Sequence, residues 1–190
     1  MTAAANFKLV TRTSKSLDQP NKAIIGLHGW TGDEHDFEPV AKMFHIDEAK
    51  WFLPRAPYHA DSGKGYSWFS GTNETGWKVE KTKTGLAQLI KDIQSEGFQR
   101  ENIFIVGFSQ GACLAMEVAL RLPFTIGGII PIAGFIKFID NLVSEATEES
   151  RQTPVLLLHG NQDDIIYVKA SQKAHDYFKD RGNPVHFEKY

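Results

Sequence analysis

Short apolar runs alternate along the chain with longer stretches of helical spacing. KAIIGL at 22–27, NIFIVG at 102–107, GGIIPIAG at 127–134 and PVLLLHG at 154–160 predict buried strands. KWFL at 50–53 reads as a further short strand, and PVHFEKY at 184–190 as a last one. Pro131 fits a central strand poorly because it has no backbone N–H to give to a ladder. Between these runs, helices are predicted near 36–43, over 80–96, over 110–122 and over 168–180. Leu86, Leu89, Ile90 and Ile93 are spaced for one helix face, and Pro123 stops the helix that begins at Gln110. The alternation implies an α/β fold: a mostly parallel central sheet flanked by helices. One stretch, 54–76, carries no such pattern and reads as a long loop rich in glycine and aromatics. Loops of that length in a compact domain are usually functional or disordered.

At 190 residues the chain suits a single domain over 1–190. It is 42% hydrophobic and 23% charged, with a formal net charge of −2. Bulk electrostatics therefore give no reason to expect nucleic acid or an anionic membrane as partner. The single cysteine, Cys113, rules out an intrachain disulfide and suits a reducing compartment. The N-terminus has no signal-like apolar core, and no apolar run is long enough to span a membrane. A cytoplasmic protein is expected. No His/Cys/Asp cluster has zinc-like spacing and no phosphate-binding glycine loop appears, so neither metal nor cofactor is expected.

The candidate chemistry is that of a serine hydrolase. Gly107-Phe108-Ser109-Gln110-Gly111 matches G-x-S-x-G and stands between a predicted strand and a predicted helix. That is the setting in which a sharp turn lifts a nucleophilic hydroxyl out of the sheet, and the flanking glycines avoid a steric clash. The N–H of Gln110 is the first expected donor to a developing oxyanion. The second is the N–H of Trp30, in the turn after KAIIGL. His28 is read as tying down its own loop, and Asp33 and Asp36 as turn and helix-cap residues. An acid to orient a histidine should follow the strand 154–160. Asp163 and Asp164 both qualify, and spacing alone does not choose between them. Trp68 and Phe69, in the long loop, are candidate walls of a substrate pocket. Cys113 falls one helical turn past Ser109 and is expected to be buried.

LHGWTGDEHDF, PRAP followed by SWF, GFSQGACLAMEVAL, GGIIPIAGF and LLLHGNQDDIIY occur in the order and spacing of a known group. The chain resembles the phospholipase/carboxylesterase family, which includes the acyl-protein thioesterases. The resemblance implies the α/β-hydrolase fold, a Ser-His-Asp triad and no cofactor. It implies the nucleophile at Ser109, the acid at Asp163, and oxyanion donors at Trp30 and Gln110. The segment after PRAP, YHADSGKGYSW, departs from the thioesterase members, so small to medium acyl esters are the expected substrates. Thioesterase or lysophospholipase action is the alternative within the family. A non-catalytic ligand-binding descendant is the alternative outside enzymology.

The resemblance also implies a triad histidine in a short loop after VHFEKY, followed by a closing helix. Neither lies within the 190 residues. The expectation is a truncated chain whose histidine lies just beyond Tyr190, nearly inactive as it stands. An exposed sheet edge there would favour a homodimer. His186 is inside the strand and out of position for the role. His35, His45, His59 and His175 are read as surface or helix-end residues.

Overall fold

Apolar runs become strands here because both faces of the sheet they form are covered or partly covered. In chain order the elements are β1 (Thr11–Lys15), β2 (Lys22–Leu27), α1 (Glu38–Met43) and β3 (Ala49–Pro54). Two ribbons follow, β4 (Tyr58–His59) with β5 (Tyr66–Ser67), and β6 (Ser70–Thr72) with β7 (Gly76–Lys78). Then come α2 (Glu80–Ser95), β8 (Ile103–Phe108), α3 (Gln110–Ala119), β9 (Gly128–Ile132), α4 (Ile139–Glu145), β10 (Val155–His159), α5 (Val168–Arg181) and β11 (Val185–Lys189). The computed structural model describes residues 7–15, 18–44, 46 and 48–190. His45 and the N-terminal residues 1–6 lie outside the described residues.

Seven strands form one sheet in the order β1-β3-β2-β8-β9-β10-β11. Only β1 runs antiparallel to its neighbour. Alternate residues of the central strands enter different cores. Ile25, Leu27, Ile103, Ile105, Ile129 and Leu157 face one side, where they meet Leu86, Ile90 and Ile93 of α2, Leu114 and Met116 of α3 and Phe178 of α5. Ile24, Trp51, Leu53 and Val106 face the other, against Phe37, Val40 and Ala41 around α1. Eight of the ten residues of α3 are buried, so this helix is apolar around its circumference. Gly85 lets α2 approach the N-terminal segment closely: a Cβ there would lie 2.7 Å from Leu9 Cγ.

Two details differ from the pattern-based expectation. The stretch 54–76 is structured by the two ribbons, whose strands are too short to show alternation. β1 is a strand although TRTSK is polar throughout, because it is an exposed edge with only β3 to satisfy. Pro131 does lie in a central strand. β9 gives Ile129 N–H to Pro154 O and Ala133 N–H to Leu158 O, both at 2.9 Å, and the ladder toward β10 has no N–H at position 131 between them.

Candidate active site

Parallel strands all end at the same rim, and the loops leaving it carry the candidate residues. β8 ends at Phe108 and α3 begins at Gln110, so Ser109 has to turn the chain by itself. It does so with φ 52° and ψ −114°, a region costly for a residue with a Cβ. Its N–H donates to Ile132 O at 2.9 Å, and its carbonyl accepts from Cys113 N–H at 3.1 Å. The glycines of the motif are required by contact. A Cβ on Gly107 would lie 2.3 Å from Gly111 O, and one on Gly111 would lie 2.1 Å from Leu27 O. Only bare backbone allows the first turn of α3 to sit on the end of β2. Ser109 is half-buried, and among the described residues its hydroxyl has no hydrogen-bond partner.

Trp30 and Gln110 meet in one cleft of about 250 Å³, with His59, Asp61, Phe69 and Trp77 among its other walls. Gln110 is the first residue of α3, so its N–H has no partner within the helix. Its side chain is fully engaged: Oε1 accepts from Trp68 N–H and Nε2 donates to Ser67 Oγ, both at 2.9 Å. Trp30 presents a half-exposed ring at the cleft mouth. Phe69 lines the cleft although it is nearly buried. Trp68, expected as a pocket wall, is placed differently. It is completely buried, its indole N–H donates to His28 O at 2.8 Å, and its carbonyl accepts from Thr82 Oγ1 at 2.7 Å. It therefore supports the wall from behind and offers no surface to a ligand. His59, not singled out as a pocket residue, also faces the cleft, as does Trp77. The glycine-flanked GKG segment is the available sequence signal, since it marks a hairpin tip that brings His59 opposite Tyr66.

His28 ties its loop, as its sequence context suggests. Nδ1 lies 2.7 Å from Gly29 O, and Nε2 accepts from Ala56 N–H at 3.1 Å. That pairing requires the neutral ring, with the proton on Nδ1. Burial, above all, holds its pKa below the ordinary 6.5. Asp33 and Asp36 are turn residues rather than caps: Asp33 Oδ1 accepts from His35 N–H and Asp36 Oδ2 from Asp33 N–H, while α1 begins only after Phe37.

Asp163 and Asp164 follow β10, one strand beyond β9 from Ser109. Asp164 is exposed. Asp163 is half-buried, and its Oδ1 accepts from Ile165 N–H at 3.0 Å and Ile166 N–H at 2.9 Å. Chiefly the Ile166 N–H, then that of Ile165 and the nearby His159, keep its carboxyl below the usual carboxylate value. Its Oδ2 lies 3.4 Å from His159 Nε2. His159 itself is buried between Ser171 Oγ at 2.7 Å and Ile166 O at 2.6 Å, so it belongs to the loop's scaffold. Each of the other described histidines is likewise engaged, none of them with Ser109. His35 meets Glu38, His59 stacks on Tyr66, and His175 meets Asp176. His186 pairs with Leu156 near the start of β11, at the opposite end of the sheet from the rim. Cys113 is buried in α3, which pushes its thiol up to about 12.

The profile of the Phospholipase/Carboxylesterase family matches residues 10–190. The chain belongs to the phospholipase/carboxylesterase family. Among curated relatives it is 30% identical over 183 aligned positions to carboxylesterase SOBER1 of Arabidopsis thaliana, covering 88% of this chain and 80% of that protein. It is 31% identical over 178 positions to acyl-protein thioesterase 1 of Kluyveromyces lactis, covering 85% and 78%. Among solved structures, esterase PE8 superposes with a TM-score of 0.85 at 26% identity, over 96% of this chain and 89% of that one. SOBER1 superposes at 0.78 with 28% identity, over 89% and 88%. The α/β-hydrolase fold of this family member is thus shared with those esterases. Among the described residues, no helix is long and apolar enough to cross a membrane.

Two outcomes follow from this geometry. Gly111→Ala forces α3 off β2 and should lower stability by about 1–3 kcal/mol in urea unfolding. His28 is disfavoured as imidazolium in the fold, so its contribution is complete above pH 6.5 and is lost as pH falls through its lowered folded value. Unfolding midpoints measured from pH 7.5 to 5 should fall more steeply for the wild type than for His28→Gln.

Proposed function

We propose that the chain is a serine hydrolase of carboxylic esters that works through an acyl-enzyme. Ser109 Oγ adds to the ester carbonyl carbon and gives its proton to an imidazole base. The carbonyl oxygen takes up the negative charge between the N–H groups of Trp30 and Gln110. Collapse releases the alcohol, which leaves with the base's proton, and water then cleaves the acyl-serine by the same route. The observation that carries this reading is the convergence of Trp30 and Gln110 on one cleft beside a serine held at positive φ with an unengaged hydroxyl. The N-terminus of α3 adds its positive end where charge develops.

Asp163 is our choice of acid. Its Oδ1 is occupied by backbone donors, which leaves Oδ2 for an imidazole N–H. The base in this reading is an imidazole held by Asp163 Oδ2. β11 lies against the loop that carries Asp163: Tyr190 N–H donates to His159 O at 3.1 Å, and Asn161 N–H donates to Tyr190 O at 2.6 Å. Small to medium acyl esters suit the volume of the cleft. A second reading has one observation in its favour. A larger, mainly apolar groove of about 630 Å³, walled by Phe135, Ile136, Ile139 and Tyr167 with Lys169 and Lys173 beside them, lies at the same rim and could take a long acyl chain. That would bring the chain closer to its thioesterase relatives. A cytoplasmic setting completes the proposal, supported by the one buried thiol.

A fluorophosphonate probe should label the intact protein at Ser109, and Ser109→Ala should abolish labelling and ester turnover together. Labelling elsewhere, or turnover surviving the substitution, would remove the proposal. The 190 residues should hydrolyse p-nitrophenyl acetate only at a residual rate, roughly 10³–10⁴ over water, because none of the described histidines is bonded to Ser109. In the intact protein, kcat/KM should peak at acetate to hexanoate; a peak at palmitate would favour the second reading.

A further inference from the structure

The N–H of Trp30 can serve an oxyanion only if its peptide is held at one angle, and the chain just after it is strained. Thr31 has φ 69°, in the left-handed region that a β-branched residue rarely adopts. Something outside the turn must keep it there. Part of the answer is backbone. Thr31 N–H donates to Tyr66 O at 2.9 Å, and Tyr66 N–H donates to Gly32 O at 3.0 Å. Gly65 approaches so closely that a Cβ on it would lie 1.7 Å from Thr31 O. The Trp30 turn is therefore clamped to the strand end at Tyr66, and its angle is only as fixed as Tyr66 is.

Tyr66 is fixed by a side chain from a third segment. Arg55, in the PRAP sequence at the end of β3, donates from Nη1 to Tyr66 Oη at 3.1 Å and lays its guanidinium over the same ring, 4.7 Å from the centroid. Its Nε lies 3.5 Å from Glu34 Oε2, two residues past the clamped Gly32. Glu34 is only 11% exposed, and its Oε2 has no hydrogen-bond partner among the described residues, so the Arg55 charge is what compensates it. Arg55 is itself anchored through its N–H to Val10 O at 2.8 Å. On its other side the Tyr66 ring stacks on His59, a wall of the cleft.

We propose that Arg55 is a positioning residue of the oxyanion loop: its guanidinium joins Glu34 on one side of the loop to Tyr66 on the other, and so sets the direction of the Trp30 N–H. The planar fork is what makes this possible, since one lysine ammonium cannot reach both partners with the same geometry. The inference rests on the serine-hydrolase reading for its effect on turnover, but not for its effect on the loop. A displaced oxyanion donor costs chiefly kcat, because the donor bonds the transition state more strongly than the substrate.

The test uses the intact protein and two independent readouts. In Arg55→Gln, kcat for p-nitrophenyl butyrate should fall roughly 10- to 100-fold with KM changed less than about threefold. The Thr31 amide should exchange its hydrogen faster, with the exchange of core amides such as Ile105 unchanged. Arg55→Lys should lie between the two in both readouts. Because Arg55→Gln also strands the Glu34 carboxylate, Glu34→Gln/Arg55→Gln removes that charge as well; it should keep the low kcat. Recovery of wild-type kcat in the double variant would overturn the proposal, as would unchanged kcat or unchanged Thr31 exchange in Arg55→Gln. If the wild type is not labelled by fluorophosphonate at Ser109, the serine reading is what fails, and the exchange result identifies that case because it needs no chemistry.

Discussion

Two backbone segments touch at the rim of the sheet with no side chain between them, and the placement of the candidate site follows from that contact. The first turn of α3 rests on the last carbonyl of β2, within a distance that any Cβ at Gly111 would violate. Pressing the helix so close leaves a single residue to connect it to β8. That residue is Ser109, and the connection explains its unusual backbone angles. It also brings the start of the helix, with its unpaired N–H groups, to the cleft that Trp30 lines. A separation larger by one methyl group would part the two.

The surroundings then have to satisfy the polar groups that this close approach buries. His28 caps two loops with one ring, Trp68 returns an indole N–H to the His28 carbonyl, and Gln110 spends its amide on Ser67 and the Trp68 backbone. Each of these three side chains has a defined partner, which is the condition for buried polar groups to order a structure instead of weakening it. The pieces come from four separated stretches of chain. The rim is thus assembled by the fold and not by any one motif.

That difference explains what the sequence could disclose. The central strands and α2 were legible because burial imposes a period on their residues, and Ser109 was legible because the elbow's steric demands fall on immediate neighbours, Gly107 and Gly111. β1 was not, since an edge strand needs no apolar face. Trp68 was misjudged because an aromatic in a glycine-rich stretch has the same local signature whether it faces a cleft or the core. That the loop half-buries Asp163 and bonds it to the Ile165 and Ile166 amides, leaving Asp164 exposed, was out of reach of the residues alone, because it depends on how the loop folds back. Arg55, Glu34 and Tyr66 are distant in sequence, so nothing local announces that they meet.

The three non-glycine residues with positive φ among those described are Thr31, Ser109 and Ala133, and they directly follow or lie just past the ends of β2, β8 and β9, three adjacent strands. Among the described residues, backbone strain of this kind is thus confined to one end of the sheet. Efforts to make the molecule more heat-resistant have a natural map in that fact. Relaxing any of these three turns would raise thermal tolerance by undoing the arrangement around Ser109, whereas changes at the opposite end of the sheet or on the outer helix faces leave it intact.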